Sequence, residues 1–160
     1  MAHPLFAAVR ARYHFACGYC GVREVDCGGE LTVDHFLPRS AGGGEDDDNL
    51  VYSCFRCNHY KSDFIPTAED ALLGRRILHP QNERLHEHCH LNAESGLLIP
   101  LSETGKFHIV LLHLNRPALV QYRLNQLMLE KMSQQIEQLR RILAKKNDLI
   151  RLLKDSLGMS

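Results

Sequence analysis

Tryptophan is missing from the 160-residue chain, so no indole serves as an interface anchor or a stacking platform. Net charge is missing too. The 19 basic side chains balance 19 acidic ones, which argues against a uniformly basic coat for nucleic acid. No apolar run approaches the ~18 residues of a membrane span. Near the start only Leu5 to Val9 is apolar, too short for a signal-peptide core. A cytoplasmic, reducing setting with no membrane partner is therefore expected. With 44% hydrophobic and 24% charged residues, the chain is neither wholly disordered nor collagen-like. Its length suits one domain, or one domain with an extension, whose core folds without disulfides.

What is present is unevenly placed. Residues 1–66 carry a net −3, residues 67–115 a net −2, and residues 116–160 a net +5. The basic surface gathers at the C-terminal end. Ten histidines are many for this length, and they cluster. Six cysteines in a reducing setting read as metal ligands or buried thiols rather than a disulfide framework.

Residues 4–16 suit a short helix, with Pro4 tolerated in the first turn. Glu30 to Phe36 alternates, with Leu31, Val33 and His35 on one face and Thr32, Asp34 and Phe36 on the other, and reads as a strand. Asn49 to Ser53 returns to strand character after the polar, glycine-rich loop 40–48. Residues 58–64 look helical. Thr67 caps a short helix to Leu73. Leu85 to Leu91 and Gly96 to Leu101 read as two strands joined by a turn. In Lys106 to Leu114, Phe107, Val110, Leu111 and Leu114 have helical spacing. From Asn115 to Leu157 no Gly or Pro interrupts apart from Pro117 at the start. Leu129, Met132, Ile136, Leu139, Leu143, Ile150, Leu153 and Leu157 recur as a heptad stripe. A helix of ~40 residues spans ~60 Å, more than one small domain needs. A homodimer through this helix, or docking on a partner protein, is expected.

Cys17-x2-Cys20 and Cys54-x2-Cys57 are two matched knuckles. Together they place four thiolates in a tetrahedron around one structural Zn2+. Cys27 is a possible substitute ligand, and Cys89 reads as a buried core thiol. Between the knuckles lie Asp34-His35, Pro38-Arg39-Ser40 and Asn49-Leu50-Val51; Cys57-Asn58 and Lys61-Ser62-Asp63 follow. His35 suits a general base because imidazole titrates near neutral pH. Asp34 offers the hard carboxylate that Mg2+ prefers. Adjacent on one strand, the two face opposite ways.

In order and spacing, these motifs resemble the HNH endonucleases, the ββα-metal or His-Me finger nucleases, of the zinc-ribbon-containing stand-alone bacterial type. The likeness covers roughly residues 13–66 and, more weakly, 75–125. It implies an α+β fold: an HNH nuclease core over 1–66, an accessory α/β region with a hairpin over 67–115, and a long amphipathic helix over 116–160. It also implies metal-dependent hydrolysis of DNA phosphodiesters that leaves 5′-phosphate and 3′-hydroxyl ends. His35 would be the general base, Asp34 and Asn58 would hold Mg2+ or Mn2+, and His59 is the rival to Asn58. Asn49 would tie the loop to the catalytic strand. Arg39 and Lys61 would meet backbone phosphates. Asp46, Asp47 and Asp48 read as a solvated loop. His86, His88 and His90 share one strand face at metal-ligand spacing, with packing or phosphate contact as the blander reading. The alternatives are a non-catalytic zinc-ribbon module that binds nucleic acid, and a nuclease subunit docking on a larger complex through its C-terminal helix.

Overall fold

The computed structural model describes residues 3–158. It divides into two compact units that meet at Tyr122 and Arg123. The first unit is a mixed α+β body. α1 (Phe6–Arg12) and α2 (Glu24–Cys27) precede β1 (Thr32–His35). A 3-10 turn at Arg39–Ala41 leads through the glycine-rich loop to β2 (Leu50–Ser53) and α3 (Phe55–Lys61). After α4 (Ala68–Leu72) come α5 (Leu85–His88), β3 (Cys89–Leu91), β4 (Leu98–Pro100) and α6 (Glu103–Leu111). α7 runs from Pro117 to Ser156.

Each sheet is a two-stranded antiparallel pair. In the first, Asp34 faces Val51 and His35 faces Leu50 across the ladder. In the second, Cys89 pairs with Pro100 and Leu91 with Leu98. A lone hairpin is marginal in water. Here α1 packs on both β1 and β2, and all four residues of β2 are buried. Ile77, Cys89, Leu98, Ile109, Leu112 and Leu114 join Leu50 and Val51 in one apolar cluster, so the later elements help close the core over the first hairpin. Burying each large aliphatic side chain contributes roughly 1.5–3 kcal/mol.

α4 carries the expected cap. The Thr67 hydroxyl accepts from Asp70 N, and the Asp70 carboxylate accepts from Thr67 N. Three expectations need correction. The helix expected over 58–64 starts earlier, at Phe55, because Cys54 caps it, and it ends at Lys61. The segment from Leu85 opens as a helical turn and becomes strand only at Cys89, because a short apolar run does not distinguish the two states. α6 is a helix as expected, but it buries Thr104, Gly105, His108 and Ile109 while Val110 is exposed. A Ser102 cap accepting from Gly105 N (3.0 Å) starts it early. His108 is buried because its Nδ1 accepts from Leu78 N (3.1 Å), tying the helix to the strap before it.

The second unit is helical from Arg123 to Ser156. Its stripe residues Leu129, Met132, Ile136, Leu139, Leu143, Ile150 and Leu153 are all exposed. No helix among the described residues is long and apolar enough to cross a membrane.

Candidate active site and metal centre

The first cysteine knuckle is stitched to the hairpin. Cys17 N donates to Val22 O (2.9 Å), Gly21 N to Cys17 O (2.8 Å) and Gly18 N to Tyr52 O (2.8 Å). A Cβ on Gly18 would stand 2.5 Å from the Tyr13 ring at the end of α1 and 2.9 Å from Val51 Cγ1 in β2, so the turn is pressed between the two and glycine is what fits. The second knuckle opens α3. Cys54 is its N-cap, with Sγ accepting from Cys57 N. The four sulfurs lie within 4.8 Å of one another, and Cys20 Sγ and Cys54 Sγ are 3.8 Å apart. Sulfurs held ~2.3 Å from a tetrahedral zinc sit ~3.8 Å from one another, so the set fits that ion. Four protein ligands would close the coordination sphere of such an ion, the arrangement of a structural rather than a catalytic site. Hydrogen bonds from Cys17, Cys20 and Cys57 hold the Cys54 thiol far below its ordinary range. The Arg116 guanidinium, 3.8 Å from Cys54 Sγ and 3.9 Å from Cys57 Sγ, offsets the thiolate charge. Cys27 lies outside the cluster and bonds the Glu24 and Gly29 carbonyls. Cys89 is buried.

Asp34 and His35 do leave β1 on opposite faces, and α3 reaches both. Asp34 is 7% exposed. Its Oδ2 accepts from Tyr19 OH (2.6 Å), and Lys61 Nζ lies 3.4 Å from Oδ1. The same ammonium donates to His35 O (2.7 Å) and Ser62 O (3.3 Å). Lys61 thus sits at 1% exposure, not at the surface where the sequence places a phosphate contact. A buried carboxylate needs a cation, and Lys61 supplies it. Burial still pushes the Asp34 carboxyl up from its ordinary range, against the pull of Lys61. A carboxylate offers about four acceptor sites. Tyr19 and Lys61 use part of that capacity on both oxygens, and the lone pairs that remain would suit a hard ion such as Mg2+ or Mn2+.

Asn49 fastens the loop that follows His35. Its Oδ1 accepts from Leu37 N (2.7 Å), and its Nδ2 donates to Gly44 O (2.8 Å) and Leu37 O (3.2 Å). A Cβ on Gly43 would fall 1.8 Å from Leu37 O, so this crossing too needs glycine. The exposed run Asp46 to Asp48 is held by its backbone carbonyls. Gln81 Nε2 donates to Asp47 O (2.9 Å), and His79 Nε2 lies 2.9 Å from Asp48 O. Asn58 is half-buried on α3, one turn before Lys61. His59 is exposed and stacks on Phe55 with ring centroids 6.0 Å apart.

His35 Nε2 accepts from Arg39 Nε (3.1 Å) and lies 3.1 Å from Glu45 Oε1. Arg39 also donates to Glu45 Oε1. His3 Nε2 stands 2.6 Å from Glu45 Oε2. Sequence reasoning missed Tyr19, Glu45 and His3 here. Glu45 belongs to an acidic run that reads as solvent-facing, and only the fold brings His3 to a loop forty-two residues away. The expected His86, His88 and His90 face does not form. His86 and His88 lie in α5, where His88 Nδ1 bonds Ser102 Oγ (2.8 Å). Among the described residues, the clusters of three or more His, Cys, Asp or Glu side chains that could hold a metal are the four cysteines and His3, His35 and Glu45.

Residues 17–64 match the family model described as HNH endonuclease. The matched residues contain both knuckles, the Asp34–His35 hairpin, Asn49 and α3 to Lys61. The chain is also similar to the Septu protein PtuA of Bacillus mycoides (strain KBAB4), at 28% identity over 133 residues. That match covers 67% of this chain and 18% of the relative, so the chain spans less than a fifth of the relative's length. No solved structure matches the chain.

Proposed function

We propose that this chain is a metal-dependent endonuclease that hydrolyses DNA phosphodiester bonds, with His35 as general base. The observation that carries the reading is the bridging position of Lys61. Its ammonium bonds the Asp34 side chain and the His35 carbonyl together, which locks α3 across the strand pair that faces two ways. Asp34 and Asn58 would hold one divalent ion, Mg2+ or Mn2+, with His59 the rival to Asn58. Bound there, the ion supplies Lewis acidity at the scissile phosphoryl group and relieves charge on the departing 3′ oxygen.

The chain's own residues divide the remaining work. Arg39, exposed at its side chain, is the phosphate contact. While it bonds His35 Nε2, the base's lone pair is covered. Turning Arg39 to a backbone phosphate would uncover that lone pair for a water. Asn49 keeps the His35 loop in place without touching substrate. Lys61 acts as a positioning residue behind Asp34, and the zinc-type cluster braces the end of the hairpin where β2 runs into α3.

Supercoiled plasmid with and without Mg2+ tests the reading. EDTA should stop cleavage, and Mg2+ or Mn2+ should restore it while zinc stays on the cysteines. Cleavage that is equal with and without a divalent ion would overturn it. We further propose a homodimer through the exposed α7 stripe, so that two single-strand cutters sit in one assembly. The match to one stretch of a much longer relative favours a second reading, in which the same helix docks this nuclease on a larger complex.

A further inference from the structure

His3, His35 and Glu45 converge outside the cysteine cluster, and Arg39 lies among them. Arginine only donates hydrogen bonds. The bond from Arg39 Nε therefore fixes His35 Nε2 as an acceptor with its lone pair outward. Glu45 Oε1, also an acceptor, lies 3.1 Å from that nitrogen, and Arg39 bonds it as well. Two lone pairs facing one another at that distance need positive charge between them, and the guanidinium supplies it. Glu45 Oε2 is 2.6 Å from His3 Nε2, so the carboxylate bonds His3 directly and is linked to His35 through Arg39. Ligand atoms from all three residues lie within 4.8 Å of one another. The two histidine side chains are 15% and 14% exposed and Glu45 is 49% exposed, so the cluster is preformed yet open to solvent.

We propose that His3, His35 and Glu45 form a second metal site, one for a divalent ion of the zinc class, and that an ion bound there disables the His35 base. Two imidazoles and one carboxylate are borderline donors that suit Zn2+ or Co2+ better than Mg2+, which wants an all-oxygen shell. Three protein ligands leave a fourth position for water or a phosphate oxygen. Binding displaces Arg39. It also changes the His3 tautomer. His3 Nδ1 accepts from Leu5 N (3.1 Å), which leaves the proton on Nε2. Coordination through Nε2 moves that proton to Nδ1 and gives up the Leu5 bond. The metal takes the His35 Nε2 lone pair, so no proton can be accepted there.

The metal site itself stands on the geometry, while its inhibitory effect rests on the function proposed above. Zinc content separates the two. Full-length protein equilibrated with Zn2+ under excess Mg2+ should hold two zinc ions per chain, and His3→Ala and Glu45→Gln should each hold one. The retained ion on the cysteines shows that the variant is folded, and His3→Gln serves if His3→Ala loses both. Imidazole nitrogen NMR should show Zn2+ shifting His3 and His35 and sparing His59. One zinc in the wild type, or a second ion that persists in both variants, overturns the site. If the site binds, Zn2+ should cut the wild-type cleavage rate at least ~10-fold, within the range attributed to a general base. The zinc-free to zinc-bound ratio should fall towards one in His3→Ala. Equal inhibition of both overturns the inhibitory role. A protein that cleaves with no metal at all would overturn the proposed function and leave the zinc count standing as evidence.

Discussion

Lys61 and Asp34 form a buried ion pair, with Nζ 3.3 Å from Oδ2 and side-chain exposures of 1% and 8%. The pair joins the end of α3 to the middle of β1 and sits directly behind the proposed catalytic residues. Truncating one partner leaves a buried charge unpaired, which typically costs 3–5 kcal/mol. We predict that Lys61→Met lowers unfolding free energy by about that much, read as a fall in urea midpoint at unchanged slope. The conservative Lys61→Arg should recover part of it if its longer fork reaches Asp34. A Lys61→Met midpoint equal to the wild type would remove the pair from the account.

Stability should fall in mild acid through His108. Burial pushes this imidazole down to about 4 from an ordinary 6.5. The unfolded chain therefore takes up a proton that the folded chain refuses. The contribution is fully present above pH ~6.5 and is lost as pH falls towards ~4. The full difference is on the order of 3 kcal/mol. Denaturant midpoints across that window should slope less in His108→Asn than in the wild type, whatever the variant's stability at neutral pH. Equal slopes would show that His108 does not carry the effect.

Asn58 and His59 offer adjacent candidates for the second ligand to the divalent ion, about 100° apart around α3. An amide oxygen is a harder donor than an imidazole and suits Mg2+ better. Asn58→Ala should abolish Mg2+-dependent cleavage, while His59→Ala should keep much of it. The reverse pattern would move the ligand by one residue.

The apolar stripe on α7 gives the assembly prediction. A two-stranded coil would cover residues such as Leu139 and Leu143, which are 64% and 59% exposed. Leu139→Asp with Leu143→Asp should put charge into the seam and convert dimer to monomer by sedimentation. Monomers that each keep one site should nick plasmid and rarely linearise it. A wild type that sediments as a monomer at high micromolar concentration contradicts the dimer and favours docking on a partner.

Local pattern carries much of this molecule. The alternation around Val33 and His35, the matched Cys-x2-Cys pairs, the Thr67 cap and the uninterrupted run from Pro117 each need only near neighbours to be read. What escapes depends on tertiary partners. Lys61 reads as a surface phosphate contact on the helix expected over 58–64, and only Asp34 across the fold explains its burial. His108 lies off the apolar set Phe107, Val110, Leu111 and Leu114, but Leu78 N donates to its ring and buries it. Glu45 is one acid of four in a polar loop until His3 and Arg39 close on it. Leu85 to His88 forms a helical turn where a short apolar and histidine-rich run suits a strand equally well.

The central claim is that His35 takes the proton from the attacking water. Cleavage of supercoiled plasmid in Mg2+ by His35→Ala, beside the wild type, tests it most directly. The variant should keep its cysteine-bound zinc and its DNA binding, and lose at least ~10²-fold in rate, the usual scale for a general base. A folded, zinc-loaded His35→Ala that cuts within a few-fold of the wild type would contradict the account.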